Sequence, residues 1–442
     1  MSARIPSPHE TAADPPAFAR APIPVVVQQH ADDAAHLRHL RSLLLRAPHV
    51  KLLHLARLDE RIEAHLDGLA VAGPYGLARA EAALERLGCG EVFTAAVCAL
   101  QERDEAALQR LLALVPVAPA ARRGLLSALA WTTPALLRDR VRELLAAPQP
   151  WQRALGLEAC RLHRVDPGAP LLSALHDADP APRAAALRAA GELGRLDLLP
   201  PVLEALDSGD AALAPVAARA ACLLGDRGAA LRAVQLAAFA GPQPIDELRS
   251  LALALLDGDE ARAALRTLEH DPASRRELIR CHGWLGDVRS VPWLLERLHD
   301  DEPQLARLLG EAFSLITGAD LAALDLEHKP PEETMAGPND DPADEEVALD
   351  ADEDLPWPDV ERVAHWWRSV GATSLPAAPR LFVGAPPDEP QGWRVLREGT
   401  QRQRALAAQW LVLRRPGRPL FPIAAPAWRQ RRLLQQQPQE GA

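Results

Sequence analysis

One helical pattern recurs along this chain with a period near 31 residues, and that period limits what the chain can fold into. Its clearest copy is D-P-A-P-R-A-A-A-L-R-A-A-G-E-L-G, from Asp179 to Gly194. A second apolar run, L-D-L-L-P-P-V-L-E-A-L, follows from Leu196 to Leu206. Taking the end of the first helix of each unit as an anchor gives positions near Leu100, Trp131, His163, Gly194, Gly225, Gly258, Gly286 and Gly318, spaced 31, 32, 31, 31, 33, 28 and 32. A proline stands upstream in phase at Pro119, Pro150, Pro180, Pro244, Pro272 and Pro303, with Arg122, Arg153, Arg183, Arg249, Arg275 and Arg307 just after. Proline suits the first helical turn, where its missing N–H would be unpaired anyway. Asp179 and Asp271 are N-cap candidates, and Gly194, Gly225, Gly286 and Gly318 read as helix-ending glycines. The Arg series is expected to form an internal ladder with acidic or carbonyl groups of neighbouring units.

A single pair of short amphipathic helices cannot bury its apolar face, so units of this kind must stack. The expected fold is all-α: an α-solenoid of short helix pairs, with a helical N-terminal cap and a small α-rich C-terminal module. The units are too short for tetratricopeptide repeats and lack the ankyrin T-P-L-H signature. The D-P-x-x-R start and the G-E-L-G core resemble short HEAT repeats, the type also seen in bilin lyases, over about Glu91 to Gly318. The divisions expected are a disordered tail over 1–22, a cap over 23–88, the array over 89–324, an acidic linker over 325–354 and an Arg/Trp-rich module over 355–442. In the cap, His30–Ala47, Leu52–Gly68 and Ala78–Leu87 read as helices, with Gly68 as a stop.

Composition narrows the function classes. The net charge is −11, which does not advertise a general nucleic-acid groove. Five cysteines without a C-x-x-C read as reduced core residues rather than a zinc site or a disulfide framework. The first residues lack a signal-peptide pattern, and no apolar run is long enough to cross a bilayer, so a cytoplasmic protein is expected. Eleven acidic residues fall between Glu332 and Asp354 with no Lys or Arg among them, which reads as a solvated linker. Residues 362–442 hold thirteen Arg against four acidic residues, and 355–442 hold six of the ten Trp.

Catalytic patterns are missing: no phosphate-binding loop, no H-E-x-x-H, no G-x-S-x-G. His-Glu occurs once, at His9–Glu10, whereas HEAT-type iron hydroxylases use paired His-Glu dipeptides. His36 and His39 lie one turn apart and could share a metal, but no Cys or paired carboxylate completes a site. No catalytic, cofactor-binding or metal residue is therefore assigned. The residues selected for partner binding are Trp366, Trp367, Arg402 and Arg404.

Several segments carry a more specific likeness. L-D-E-R-I-E-A-H-L-D-G-L-A-V-A-G (Leu58 to Gly73), F-S-L-I-T-G-A-D-L (Phe313 to Leu321), P-N-D-D-P-A-D-E-E-V (Pro338 to Val347), L-P-W-P-D (Leu355 to Asp359) and E-G-T-Q-R-Q-R-A-L (Glu398 to Leu406) resemble an uncharacterised family of proteobacterial HEAT-repeat proteins. Members of that family are often encoded near type VI secretion effectors and spike proteins. The resemblance implies an accessory, adaptor or co-chaperone role, with a protein partner such as a secreted effector or its chaperone, and it carries no catalytic residues. A lyase-type or modifying enzyme on the same scaffold, and a nucleic-acid binder using the C-terminal module, are the alternatives.

Overall fold

The computed structural model describes residues 21–239, 246–300, 303–330 and 350–437. The expected tail (but for its last two residues), Pro244, His9–Glu10 and most of the acidic run lie outside them. The described chain is all-α apart from one antiparallel pair of two-residue strands, β1 (Glu327–His328) and β2 (Trp357–Pro358).

Three helices open the chain: α1 (Pro24–Leu44), α2 (Leu52–Val71) and α3 (Pro74–Ala82). Helix α1 starts six residues before the expected His30, because Pro24 occupies its first turn. Gly68 does not stop α2. The helix runs on to Val71, and the reversal falls at Gly73, whose φ of 56° is in the left-handed region.

Helix pairs follow: α4 (Cys89–Glu102) with α5 (Glu105–Leu114), α6 (Pro119–Trp131) with α7 (Pro134–Ala146), and α8 (Pro150–His163) with α9 (Ala169–Leu175). Next come α10 (Pro180–Leu193) with α11 (Leu199–Asp207), and α12 (Ala214–Leu223) with α13 (Ala229–Phe239). The row ends with α14 (Asp246–Leu255) and α15 (Gly258–Glu269), α16 (Arg275–Leu285) and α17 (Val291–Asp300), and α18 (Pro303–Thr317). Pro119, Pro150, Pro180 and Pro303 each open a helix. Gly194, Gly225, Gly286 and Gly318 all have positive φ just past a helix end. Gly258 differs from its expected role. It is the first residue of α15, behind Asp257, which caps the amides of Asp259 and Glu260.

The first helices of successive pairs pack on one another: α4 on α6, α8 on α10, α10 on α12, and α16 on α18. Small residues let them approach. A Cβ on Gly191 would stand 2.8 Å from the Ala220 Cα, and one on Gly283 would stand 3.0 Å from the Ala312 Cα. Ala185, Ala186, Ala189 and Ala190 of α10, and Ala217, Ala218, Ala220 and Ala221 of α12, are all buried in one core.

Part of the Arg series is laddered. Arg153 donates to Asp177 at 2.7 Å and Arg183 to Asp210 at 3.3 Å, each carboxylate lying in the loop before the next pair. Arg249 is fully buried and donates to the Ala238 carbonyl. Arg307 donates to the Asp352 carbonyl. Arg122 and Arg275 are exposed instead, without an ion pair among the described residues. A second ionic layer was not foreseen. Glu192 is bridged by Arg161 at 2.8 Å and Arg164 at 2.9 Å, and Arg188 bridges Glu158 at 2.9 Å. Burial alone would raise the Glu192 pKa, but Arg164, Arg161 and Arg219 outweigh it and hold it at about 2.

The last described segments are α19 (Val360–Trp366), α20 (Ala372–Ser374), α21 (Glu389–Glu398), α22 (Gln401–Arg414) and α23 (Ala427–Gln435). Helix α19 packs on α17, and its Trp366 lies edge-on to Phe313 of α18 at 5.8 Å. Helix α19 therefore joins the last pair of the row rather than the C-terminal helices. Helices α21 and α22 pair with each other, α22 touches α12 and α14, and α23 touches α2. One apolar cluster contains Leu52 and Ala56 of α2, Leu315 of α18, and Leu396, Leu406 and Leu411 from α21 and α22. Both ends of the row thus meet the same C-terminal helices.

Candidate partner interface

The last four carbonyls of a helix have no partner within it, and that end carries partial negative charge. The C-terminal chain bonds such ends, as a strap, one helix after another. Arg429 donates to the Ala130 carbonyl of α6 at 2.9 Å, and the Leu420 amide to the Glu192 carbonyl of α10 at 2.8 Å. Arg227 joins the Cys222 carbonyl of α12, at 2.7 Å, to the Leu413 carbonyl of the strap, at 3.1 Å. Arg380 donates to the Leu253 carbonyl of α14 at 2.6 Å and also to the Leu256 carbonyl. The Leu381 amide reaches the Gly286 carbonyl at 2.8 Å, and the Val383 amide the Leu315 carbonyl at 2.6 Å.

The glycines that end these helices serve the strap as well as the turn. A Cβ on Gly286 would stand 2.1 Å from the Leu381 carbonyl oxygen, and one on Gly194 would stand 2.5 Å from that of Gly417. At its far end the strap reaches the first helices. The Gln401 amide donates to the Val50 carbonyl at 2.7 Å, and the Ala427 amide to the Asp59 carboxylate at 2.6 Å. Arg41 holds that carboxylate as a buried pair and also donates to the carbonyls of Ala424 and Ala425.

The four residues selected from the sequence divide between this frame and the surface. Arg404 is 0% exposed. It donates to the Leu396 carbonyl at 2.8 Å and to Gln401 and Gln430, and burial lowers its pKa to about 10. It is a framing residue, out of reach of a partner. Arg402 is committed to Glu311 at 2.8 Å, Asp352 at 3.0 Å and the Arg46 carbonyl at 3.2 Å, joining both ends of the row. Its partner corrects the linker reading in part, since Asp352 is 1% exposed and also pairs with Arg276. Asp350 pairs with Arg307.

Trp366 and Trp367 are half-buried, both edge-on to Phe313. Trp366 also forms the apolar floor of an open groove of about 480 Å³, together with Leu326. Glu361, Arg362, His365, Arg368 and Ser369 rim it. Past Trp366 the helix widens into a π turn, Trp367–Gly371, a local unwinding common at functional sites. Gly371 permits it, because a Cβ there would stand 2.7 Å from both indole rings. Arg362 is tied to Asp325 and Asp359. Arg368 has no ion pair among the described residues.

His36 and His39 are exposed along a separate groove of about 760 Å³ with Asp32, Glu85, Cys89 and Glu91. Among the described residues no three His, Cys, Asp or Glu side chains make a ready metal cluster. No described helix is long and apolar enough to cross a membrane. The arginines that tie row and strap together, Arg164 and Arg227 from the row and Arg380 and Arg429 from the strap, went unrecognised in the sequence. Their only trace there is the series of helix-ending glycines, which reads equally well as turn chemistry. Compared with family models, curated proteins and solved structures, the chain finds no match.

Proposed function

We propose that this chain is an interaction scaffold: an α-solenoid of short HEAT-like helix pairs, held in one curvature by its strap, that binds a protein partner. The supporting observation is the groove beside Trp366. It joins a half-buried indole to an arginine, Arg368, that the chain leaves without a counter-charge among the described residues. Aromatic and arginine side chains of this kind are the usual anchors of protein interfaces. The C-terminal arginines also favour a protein partner over nucleic acid, because Arg380, Arg402, Arg404 and Arg429 are spent on carbonyls and side chains of the chain itself. A role as adaptor or co-chaperone for a type VI secretion effector follows from the family resemblance.

The test is affinity purification of the tagged chain from its own cells, beside the double variant Trp366→Ala/Arg368→Glu. One protein recovered in stoichiometric amount by the parent and lost by the variant is the expected result. Recovery of the same protein by both would remove the groove from the reading. No partner with either, while control baits succeed, would end it.

A further inference from the structure

Where α1 crosses α2, two histidines meet through the same ring atom. The Nδ1 atoms of His30 and His65 are 3.1 Å apart, and the rings stand edge to face with centroids 5.2 Å apart. Only one proton fits between nitrogens that close, donated by one Nδ1 to the lone pair of the other. A charged imidazole carries N–H at both nitrogens, so two charged rings would aim N–H at N–H. The contact therefore survives one charged ring and not two. Gly68 makes room for it, since a Cβ there would stand 2.7 Å from the His30 ring.

We infer that this contact is a proton-operated latch: it holds the first turns of α1 on α2 while the rings share one Nδ1 proton, and releases them when each ring takes its own. Those turns have little else to hold them. Ile23, Val25 and Val26 are exposed, and between Pro24 and Asp33 only Val27 and Ala31 are buried. Release adds these two to the exposed three, so acid uncovers an apolar face at the opening end of the row. The charges around the pair are few. Asp33 of α1 brings a carboxylate oxygen to 3.8 Å from the His65 Nδ1, while Asp32 accepts from Gln28 at 3.0 Å. Burial lowers the His65 pKa, Asp33 opposes that, and His30 and Arg61 of α2 add to it. Glu63 and Asp67 of α2 act on each other. Helices α3, α4 and α23 pack on these two helices with their charges engaged elsewhere. Arg79 lies over Tyr75, Glu81 pairs with Arg110, Glu91 lines the groove of His36, and Arg431 pairs with Glu60. Free histidines take up protons near about pH 6.5. Below that pH the released pair binds one proton more than the latched pair, so release becomes about tenfold more favourable per pH unit.

The experiment is hydrogen exchange of the full chain by mass spectrometry at pH 7.5, 6.5 and 5.5, with rates corrected for intrinsic chemistry. Protection of residues 24–33 should fall about tenfold across that range. His65→Gln keeps a polar side chain that does not titrate and should leave their protection flat with pH, and His30→Gln should do the same. His36→Ala/His39→Ala, on the exposed histidines of the same helix, should keep the fall seen in the parent. Circular dichroism identifies any variant that fails to fold; imidazole ¹⁵N NMR of the parent then decides alone, because at pH 5.5 one ring of the latched pair must still be neutral. Protection in the parent that does not change with pH, an equal fall in folded His65→Gln, or two charged rings at pH 5.5 with α1 still protected would overturn the inference.

Discussion

Helices α8 and α10 end in the same left-handed turn, one on Arg164 at φ 56° and the other on Gly194 at φ 71°. Helix α4 ends likewise on Arg103, also at φ 56°. The three positions separate two demands that sequence alone merges. Left-handed backbone is tolerated by a non-glycine residue at a cost of about 1–2 kcal/mol. Close approach of another backbone is not tolerated at all. Gly194 and Gly286 lie under the strap and meet both demands. Arg103 lies on the surface away from it and bears the conformational cost only. Arg164 is a third case: its backbone is strained, but its guanidinium donates to the Leu420 carbonyl of the strap at 2.6 Å.

Gly286→Val should break the covered class most severely. The strap carbonyl of Leu381 cannot move without losing its neighbours, so a loss of about 4 kcal/mol is expected. Hydrogen exchange should show the Leu381 amide deprotected well before the core of α16.

An intermediate effect belongs to His163, which bonds the Leu129 carbonyl of α6 at 2.7 Å. Burial, then the nearby Arg429, lowers its pKa to about 4. The unfolded chain takes up this proton near pH 6.5, before the folded chain does. The contribution is thus complete above pH 6.5 and is lost as pH drops through 4, with about 2 kcal/mol already gone at pH 5. Chemical denaturation of the parent and of His163→Gln at pH 7 and pH 5 measures it. A stability difference between the two proteins that does not change with pH would refute the assignment.

The smallest effect sharpens the contrast. Arg103→Gly should raise stability by about 0.5 kcal/mol, since the relieved strain is partly offset by a freer unfolded chain. Arg164→Gly should lower it, because the bonds to Leu420 and Glu192 go with the side chain. Opposite shifts in Tm at two residues of equal φ are the signature; equal shifts would show that the strap bond is idle.

The repeat was legible because its determinants are local. Pro119, Pro150, Pro180 and Pro303 act on their own first turns, and Gly194 or Gly286 on its own last turn. Gly68 and Gly258 misled for the same reason, since only packing shows that one seats a histidine ring and the other follows a cap. The strap was illegible because its bonds join residues far apart in sequence, such as Arg429 with Ala130, to carbonyls that every residue possesses. Arg402 and Arg404 look alike in the sequence. One faces two acids at the closing end of the row and a carbonyl at its opening end, the other a closed set of carbonyl and amide oxygens, and helix phase alone does not say which.

An open array of repeats can lengthen or shorten by whole units, because each touches only its neighbours. Here the strap meets the ends of α6, α10, α12, α14, α16 and α18, and its helices hold both the opening and the closing units. A duplicated or deleted unit would leave the strap out of register at every later helix end and pull Arg402 away from one of its two anchor points. The strap acts as a ruler, and it fixes the number of units that this chain can carry.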